Sequence, residues 1–524
     1  MLPMRTRTYV AALALLIAVA VIRVDHANRD FSATTDEPAH LGDGYHWFDH
    51  LSPFDPSHPP LARVLCALPL RLAGVPASTR GTEVDRGIDV LNAGVYETNL
   101  RRARRGNLVL FALAILATAE WARRTFSRAV ALTAAALFTT LPLVLAHAGL
   151  ITTDMAATAG LCLSLLALDR FLERPSLRRA AILALALGFG LLAKLSLLVF
   201  FPAGAVFVLW ARGQGRAALR WAPAIAFGAL LLLWAGYRFT FDRPSNVSKD
   251  AVFLFHYAAP KPLIGIARAA AQTPMPAPAY AVGVATLKFR DKQLGHPSYL
   301  LGETSARGWW FYFPVVFFYK TPLPFLVLLA CGIAFVRSRM QVVYLGTALA
   351  ILAIAMTATI DIGLRHVLPM FVPLSILAAH GLAEIARRAR APFSRVAVAA
   401  VVIWLLAGVA AAHPDYLGWF NAFAQPDPAR IAVDSNLDWG QDAANLARTA
   451  RELHVDTLHF AIVGTIRFER YGVHPQWLPP YAKTRGWVAV SETVTAMNRD
   501  GYRWLDSYRP ARRIGSSIRL YFIP

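Results

Sequence analysis

The stretch "AAILALALGFGLLAKLSLLVFFPAGAVFVLW", residues 180–210, decides the fold class: its one charge is Lys194. A bilayer-crossing helix needs about 20 apolar residues. The run is therefore long enough for two helices, read as spans 178–194 and 195–211. Similar runs recur along the chain. A soluble domain carries roughly 25% charged residues, whereas this chain of 524 residues carries 16%, with 56% hydrophobic residues and a mean hydropathy of +0.43. Both observations imply a polytopic membrane protein. Because each transmembrane helix closes its own backbone hydrogen bonds, the expected fold is an all-α membrane bundle.

Working outward gives eleven expected spans: 8–24, 105–122, 128–147, 152–171, 178–194, 195–211, 217–237, 320–336, 340–359, 366–386 and 394–412. Arginine clusters fall in alternate connections: "ARRTFSR" (122–128), "ERPSLRR" (173–179), "ARGQGRAALR" (211–220), "RSR" (337–339) and "RRARAPFSR" (387–395). With Arg5 and Arg7 they mark the cytoplasmic side. The net charge of +21 is thus explained by topology rather than by binding to nucleic acid, which is not expected as a partner. The N-terminus resembles a signal peptide, but Arg23 and Asp25 stand where small residues would mark cleavage. It is read as an uncleaved first span. The expected location is the cytoplasmic membrane, with the N-terminus inside and the C-terminus outside. Cys66, Cys162 and Cys331 offer neither a disulfide framework nor a CxxC site.

Residues 1–412 then form the membrane domain, with outer loops at 25–104 and 238–319. Residues 413–524 form a small outer α/β domain. In it "LDWGQDAANLARTAREL" (437–453) has helical periodicity, and "TLHFAIV" (457–463), "WVAVS" (487–491) and "IRLYFI" (518–523) read as strands.

The polar clusters all map to the outer face. Asp36 and Glu37 lie in "TTDEPAHLGDGYHW" (34–47), just past the first span. One of them can be a general base at the membrane surface. Alternatively, Thr34-x-x-Glu37 with Pro38 is a helix start. "FDPSHPPLARVLCALPLRLAG" (54–74) places a rigid turn, His58-Pro59-Pro60, before a surface helix. Asp154 opens the fourth span, as a cap or as a site residue. Lys194 sits near the outer end of the fifth span, against the positive-inside trend, where it either snorkels to headgroups or serves a ligand. Arg365 and His366, in "TIDIGLRHVLPMFVPL" (359–374), also end a span on the outside. Arginine suits phosphate, although Asp361 can neutralise it locally. Carboxylates beside Lys and Arg at a lipid surface suggest a lipid-linked phosphate ligand.

These segments resemble the type C glycosyltransferases, in particular the protein O-mannosyltransferases and the lipid A aminoarabinose transferases. Asp36-Glu37 is similar to their DE motif and "FDPSHPPLARVL" to their HPPL segment. "LITTDMAATAGL" is similar to their second acidic segment, "GLLAKLS" to the segment with their Lys, and "RHVLPMFVPL" to their R-x-x-L-P segment. In the tail, "DSNLDWGQDAANLA" (434–447), "FAIVGTIRFERYGV" (460–473) and "RRIGSSIRLYFIP" (512–524) look like the outer domain of bacterial members. The aminoarabinose transferases carry a Lys beside the Pro where this chain has His58-Pro59.

The resemblance implies transfer of a sugar from a polyprenyl-phosphate donor to an acceptor hydroxyl of a protein, lipid or glycan, with inversion. It implies Asp36 as base and Glu37 orienting it or the acceptor. Lys194, Arg365 and His366 would lie at the donor phosphate, and His40, His58 and Asp154 would shape the acceptor side. No cofactor or metal is expected, since a single phosphate can be held by cations alone; a divalent metal is the alternative. The rival readings are a flippase for lipid-linked sugars, which would place ionisable residues at mid-membrane, and a non-catalytic assembly protein whose polar clusters are caps and anchors.

Overall fold

The first helix of the protein, α1 (Thr6–Ala27), keeps Tyr9, Leu13, Ala20 and Val24 inside and turns Val10, Leu15, Val19 and Ile22 outward. Exposed apolar stripes of this kind belong against lipid. The computed structural model describes residues 4–51, 53 and 55–524; Phe54, which opens the His58 segment, lies outside the described residues.

The loop after α1 is helical: α2 (Glu37–Asp49), α3 (Pro60–Leu72) and α4 (Glu83–Asn92). Two glycines explain how α2 fits between the other two. Gly42 faces α4, where a Cβ would strike the Glu83 carbonyl, and Gly44 faces α3, where it would strike the Arg63 carbonyl. Two residues apart on a helix is about 200°, so the pair marks opposite faces.

The membrane bundle continues with α5 (Tyr96–Thr125), α6 (Arg128–Phe138), α7 (Pro142–Ala148), α8 (Asp154–Glu173), α9 (Leu177–Ala193), α10 (Leu197–Arg212) and α11 (Gly215–Gly236). Four helices of the second long loop follow: α12 (Pro244–Val247), α13 (Ala251–Ala258), α14 (Ile264–Gln272) and α15 (Pro278–Phe289). The bundle is completed by α16 (Tyr312–Lys320), α17 (Leu323–Ala334), α18 (Arg339–Ala355), α19 (Phe371–Arg388) and α20 (Pro392–Ala411). All eleven expected apolar runs fall on helix. Among the described residues, six single helices are long and apolar enough to cross a bilayer, and eight if each of two bent pairs is one span. The protein is a multi-pass membrane protein.

Two expected spans differ from the continuous rods read from hydropathy. Run 128–147 breaks between α6 and α7 with a 72° bend, and run 320–336 breaks between α16 and α17 with a 114° bend. Pro142 begins α7, and Pro322 and Pro324 flank the start of α17. Proline lacks the N–H that continues a helix and forces its predecessor into extended backbone. Lys320, expected to open a span, instead ends α16, fully buried, and donates to the carbonyls of Leu417 (2.7 Å) and Asn436 (2.6 Å).

Helix α8 is the hub, and nearly all its side chains are buried. It carries a buried carboxylate at each end. At the arginine-rich end Asp169 pairs with Arg124 (3.2 Å) and Arg212 (2.6 Å); at the other end stands Asp154.

The C-terminal sheet is mixed. Strand Thr457–Ala461 lies parallel to His474–Trp477 and Gly486–Ser491; Ile518–Ile523 pairs antiparallel with Gly486–Ser491 and with Arg512–Ile514. Helix α21 (Ala443–Glu452) covers it, with Leu446, Ala447 and Ala450 sharing a core with Leu458, Ala489 and Leu520. The three expected strands are present. The strands at 474–477 and 512–514 were not anticipated, because Pro475 and the paired arginines Arg512 and Arg513 conceal the alternation. Segment 413–442 behaves differently from the boundary expected at 412/413: Tyr416, Phe420, Val433, Leu437 and Trp439 join the core of the membrane helices.

Helices α3 and α5 meet at Gly106, where a Cβ would strike the Leu65 carbonyl. Gly106→Ala is expected to force them apart and to destabilise the protein by about 1–3 kcal/mol, read as a lower unfolding midpoint in detergent.

Candidate active site

The DE pair of the sequence splits in two. Glu37 starts α2 and is completely buried. Its carboxylate takes both arms of Arg104 (2.9 and 2.7 Å), the Thr34 N–H (2.8 Å) and the Ile151 N–H (2.9 Å). Every lone-pair direction of the carboxylate is thus engaged, which ties α5, the outer loop and the approach to α8 together. Asp36 faces the other way, with its side chain 39% exposed, and accepts from Arg365 Nη2 at 3.0 Å. The helix start read from Thr34-x-x-Glu37 and Pro38 is realised, since α2 begins at Glu37 and the Glu37 carboxylate accepts from Thr34, while Asp36 itself makes no side-chain cap bond among the described residues.

Arg365 is the centre of the site. Besides Asp36, it reaches Asp154 Oδ2 at 3.4 Å and donates from Nε to Ser435 Oγ at 3.2 Å. Its guanidinium lies 4.2 Å from the centre of the Trp439 ring. Lys194 Nζ meets the other oxygen of Asp154 at 2.5 Å. Four residues from distant parts of the chain therefore form one line of charges, Asp36–Arg365–Asp154–Lys194.

This geometry decides three alternatives. Lys194 does not snorkel; it lies at the break between α9 and α10, mostly buried against Asp154. Asp361 accepts from the Trp309 N–H (2.7 Å), while Arg365 is neutralised by Asp36 and Asp154. Burial lifts the Asp361 carboxyl to about 7. Asp154, expected on the acceptor side, sits wholly buried between the two cations, because that is where its charge is compensated.

The histidines form the margin. His40 lies one turn beyond Asp36, accepts from Arg63 Nε at 3.1 Å, and has its ring centre 4.9 Å from that of His58. Burial, and then the Arg63 charge, hold both imidazoles well below the usual histidine range. His366 follows Arg365 directly, and its Nε2 is buried without a partner among the described residues. No three His, Cys, Asp or Glu side chains form a metal-holding group among the described residues.

Several residues of the site were not named from the sequence. Arg104 belongs to "RRARR" (101–105), an arginine cluster at the opposite end of α5 from Arg123 and Arg124; its conflict with the expected alternation of arginine clusters is the available signal. Arg63, buried on α3, pairs with Asp43 and with Asp55 (3.1 Å). Ser435 and Trp439 sit in "DSNLDWGQ" (434–441), where no charge at the edge of an apolar run marks them. Asp434 precedes them in a left-handed backbone conformation (φ 56°), and burial lifts its carboxyl to about 6 against the pull of Arg365.

The architecture is thus a polytopic helical bundle with a small C-terminal sheet domain and a cluster of paired charges at one end of its helices. Comparison with known proteins agrees. The family model described as dolichyl-phosphate-mannose-protein mannosyltransferase matches residues 92–236. ArnT from Cupriavidus metallidurans bound to undecaprenyl phosphate superposes over 97% of this chain and 97% of its own, with a TM-score of 0.51 and 13% identity. AglB from Archaeoglobus fulgidus, in complex with an inhibitory peptide and a dolichol-phosphate, matches 96% of this chain and 72% of its own at 12% identity, with a TM-score of 0.45. No curated protein matches the chain. The likeness to ArnT is one of fold, and the resemblance read from the sequence is borne out at that level.

Glu37→Gln is expected to leave Arg104 as an uncompensated buried charge and to cost about 3–5 kcal/mol of stability. Thermal unfolding and expression yield would report that loss before any activity is assayed.

Proposed function

We propose that the protein is a glycosyltransferase that takes a sugar from a polyprenyl-phosphate donor and passes it to an acceptor hydroxyl outside the cytoplasmic membrane, with inversion at the sugar carbon. The observation that carries this reading is the line Asp36–Arg365–Asp154–Lys194, with a part-exposed carboxylate at one end and two cations around a buried one. The family match over residues 92–236 and the ArnT-like fold support it.

The chemistry follows from the charges. Asp36 accepts the proton of the acceptor hydroxyl. The oxygen attacks the anomeric carbon from the face opposite the phosphate, the bond from that carbon to the phosphate oxygen breaks, and the electron pair leaves with the polyprenyl phosphate. The leaving group needs no proton, only positive charge, which Arg365 and Lys194 supply in a water-poor site. Asp154 keeps these two cations apart and correctly aimed. His366 flanks the phosphate, while His40 and His58 border the acceptor side. Glu37 acts by fixing the helix start from which Asp36 projects. The acceptor is a hydroxyl of a protein, lipid or glycan. The cations suffice for a single phosphate, so no metal is assigned to the step.

Removing the proton acceptor while keeping its shape gives the primary test. Asp36→Asn should fold and bind donor normally but transfer sugar at least a hundredfold more slowly (roughly 10²–10⁴ for loss of a general base). Arg365→Ala and Lys194→Ala should instead weaken donor binding by about 1.5–3 kcal/mol each. An Asp36→Asn enzyme of normal rate removes the general-base assignment.

The arginine clusters in alternate connections also support a cytoplasmic N-terminus and an external C-terminal domain. A reporter active only outside the cytoplasm and fused after Pro524 is expected to be active. Activity of a cytoplasm-specific reporter at the same position would reverse the topology.

A further inference from the structure

The segment 434–441 lies outside the membrane helices, yet it touches Arg365 and the residue before Asp36. We infer that Trp439 is a positioning residue that sets the geometry between the base and the phosphate-binding arginine; this rests on the function proposed above.

Two different parts of Trp439 do this. Its indole face lies against the Arg365 guanidinium, 4.2 Å from ring centre to carbon, and the residue is almost completely buried. A planar cation on a desolvated indole is held in both position and tilt. Its main-chain carbonyl accepts from the Thr35 N–H at 3.0 Å and from the Thr35 hydroxyl at 3.3 Å. Thr35 is the residue before Asp36. The distance across the Asp36–Arg365 contact is thus spanned by a single residue that grips one side with its side chain and the other with its backbone.

Trp439 is itself fixed. Its N–H donates to Gln441 Oε1 at 2.9 Å, and Gln441 Nε2 returns to the Leu437 carbonyl at 2.8 Å. Ser32 N–H and Oγ donate to the Gln441 carbonyl at 2.9 and 2.8 Å, extending the strap on the far side of Thr35. Ser435 adds a second grip on Arg365: its hydroxyl accepts from Nε and donates to the Ile362 carbonyl at 2.7 Å. Asp438 anchors the segment to the outer domain by accepting from the Thr493 N–H at 2.7 Å. The outer domain is therefore coupled to the charge line through one short strap.

The test measures affinity for undecaprenyl phosphate, the lipid phosphate without a sugar, using the full-length protein in detergent. Trp439→Leu is expected to weaken binding roughly tenfold, and Trp439→Phe, which restores an aromatic face, to recover most of it. Trp439→Leu combined with Arg365→Gln should bind no more weakly than Arg365→Gln alone, because the indole acts through the guanidinium. Additive losses in that cycle, or a Trp439→Phe protein as weak as Trp439→Leu, overturn the inference. If Trp439→Leu fails to fold, Trp439→Met takes its place in the same cycle. A wild type that does not bind undecaprenyl phosphate overturns the functional reading instead. The claim on Trp439 is then judged by ¹⁹F NMR of protein labelled with 5-fluorotryptophan, its signal assigned by loss in Trp439→Phe. A resonance that moves on Arg365→Gln supports the stack, and one that stays in place overturns it.

Discussion

A carboxylate buried at the end of a membrane helix is the constraint on which the rest of this structure depends. The Asp154 side chain has no exposed surface, and an unpaired charge there would be expensive. Lys194 and Arg365 compensate it, one on each oxygen. To deliver them, the chain interrupts helix twice: α9 stops at Ala193 so that Lys194 lies in extended backbone, and Arg365 is carried on a short 3-10 segment before α19. Two helix breaks that look like local irregularities are thus consequences of one buried charge.

The same pairing leaves the site with a direction. Asp154 consumes one charge and is flanked by two cations, so Arg365 retains the capacity to hold Asp36 on its open side. Asp36 is the only member of the line with substantial exposure, 39% of its side chain. The proposed base is therefore also the member of the line most open to solvent. Its neighbour Glu37 has the opposite environment, sealed by Arg104 and two backbone N–H groups. Adjacent carboxylates on one helix start do different work because the helix turns one inward and leaves the other facing out.

The loops that look like appendages in a hydropathy reading are structural parts of this site. Helix α2 fits between α3 and α4 only because Gly42 and Gly44 remove side chains on opposite faces. Segment 413–442 belongs to the core of the membrane bundle, with the sheet domain beginning after it. Ser435 and Trp439 of that segment contact Arg365, and Asp438 ties the same segment to the sheet domain through Thr493.

The sequence by itself determined the membrane class, the positions of the apolar helices and the common side of the polar clusters, because hydropathy and arginine alternation are local properties of the chain. The three longest-patterned strands and the covering helix were legible for the same reason. The positions of Asp36, Lys194 and Arg365 were also legible, since a charge at the edge of an apolar run stands out. Only the tertiary structure decided who pairs with whom. Glu37 and Arg104 are 67 residues apart, Arg365 and Asp154 are 211 apart, and Asp36 and Arg365 are 329 apart. No local pattern carries such distances. The bends at Pro142 and Pro322 depend on neighbours that can accommodate a turned helix, and the role of Trp439 depends on which cation happens to face its ring. Those choices are made by packing, where burying a charge without its partner costs more than bending a helix to supply one.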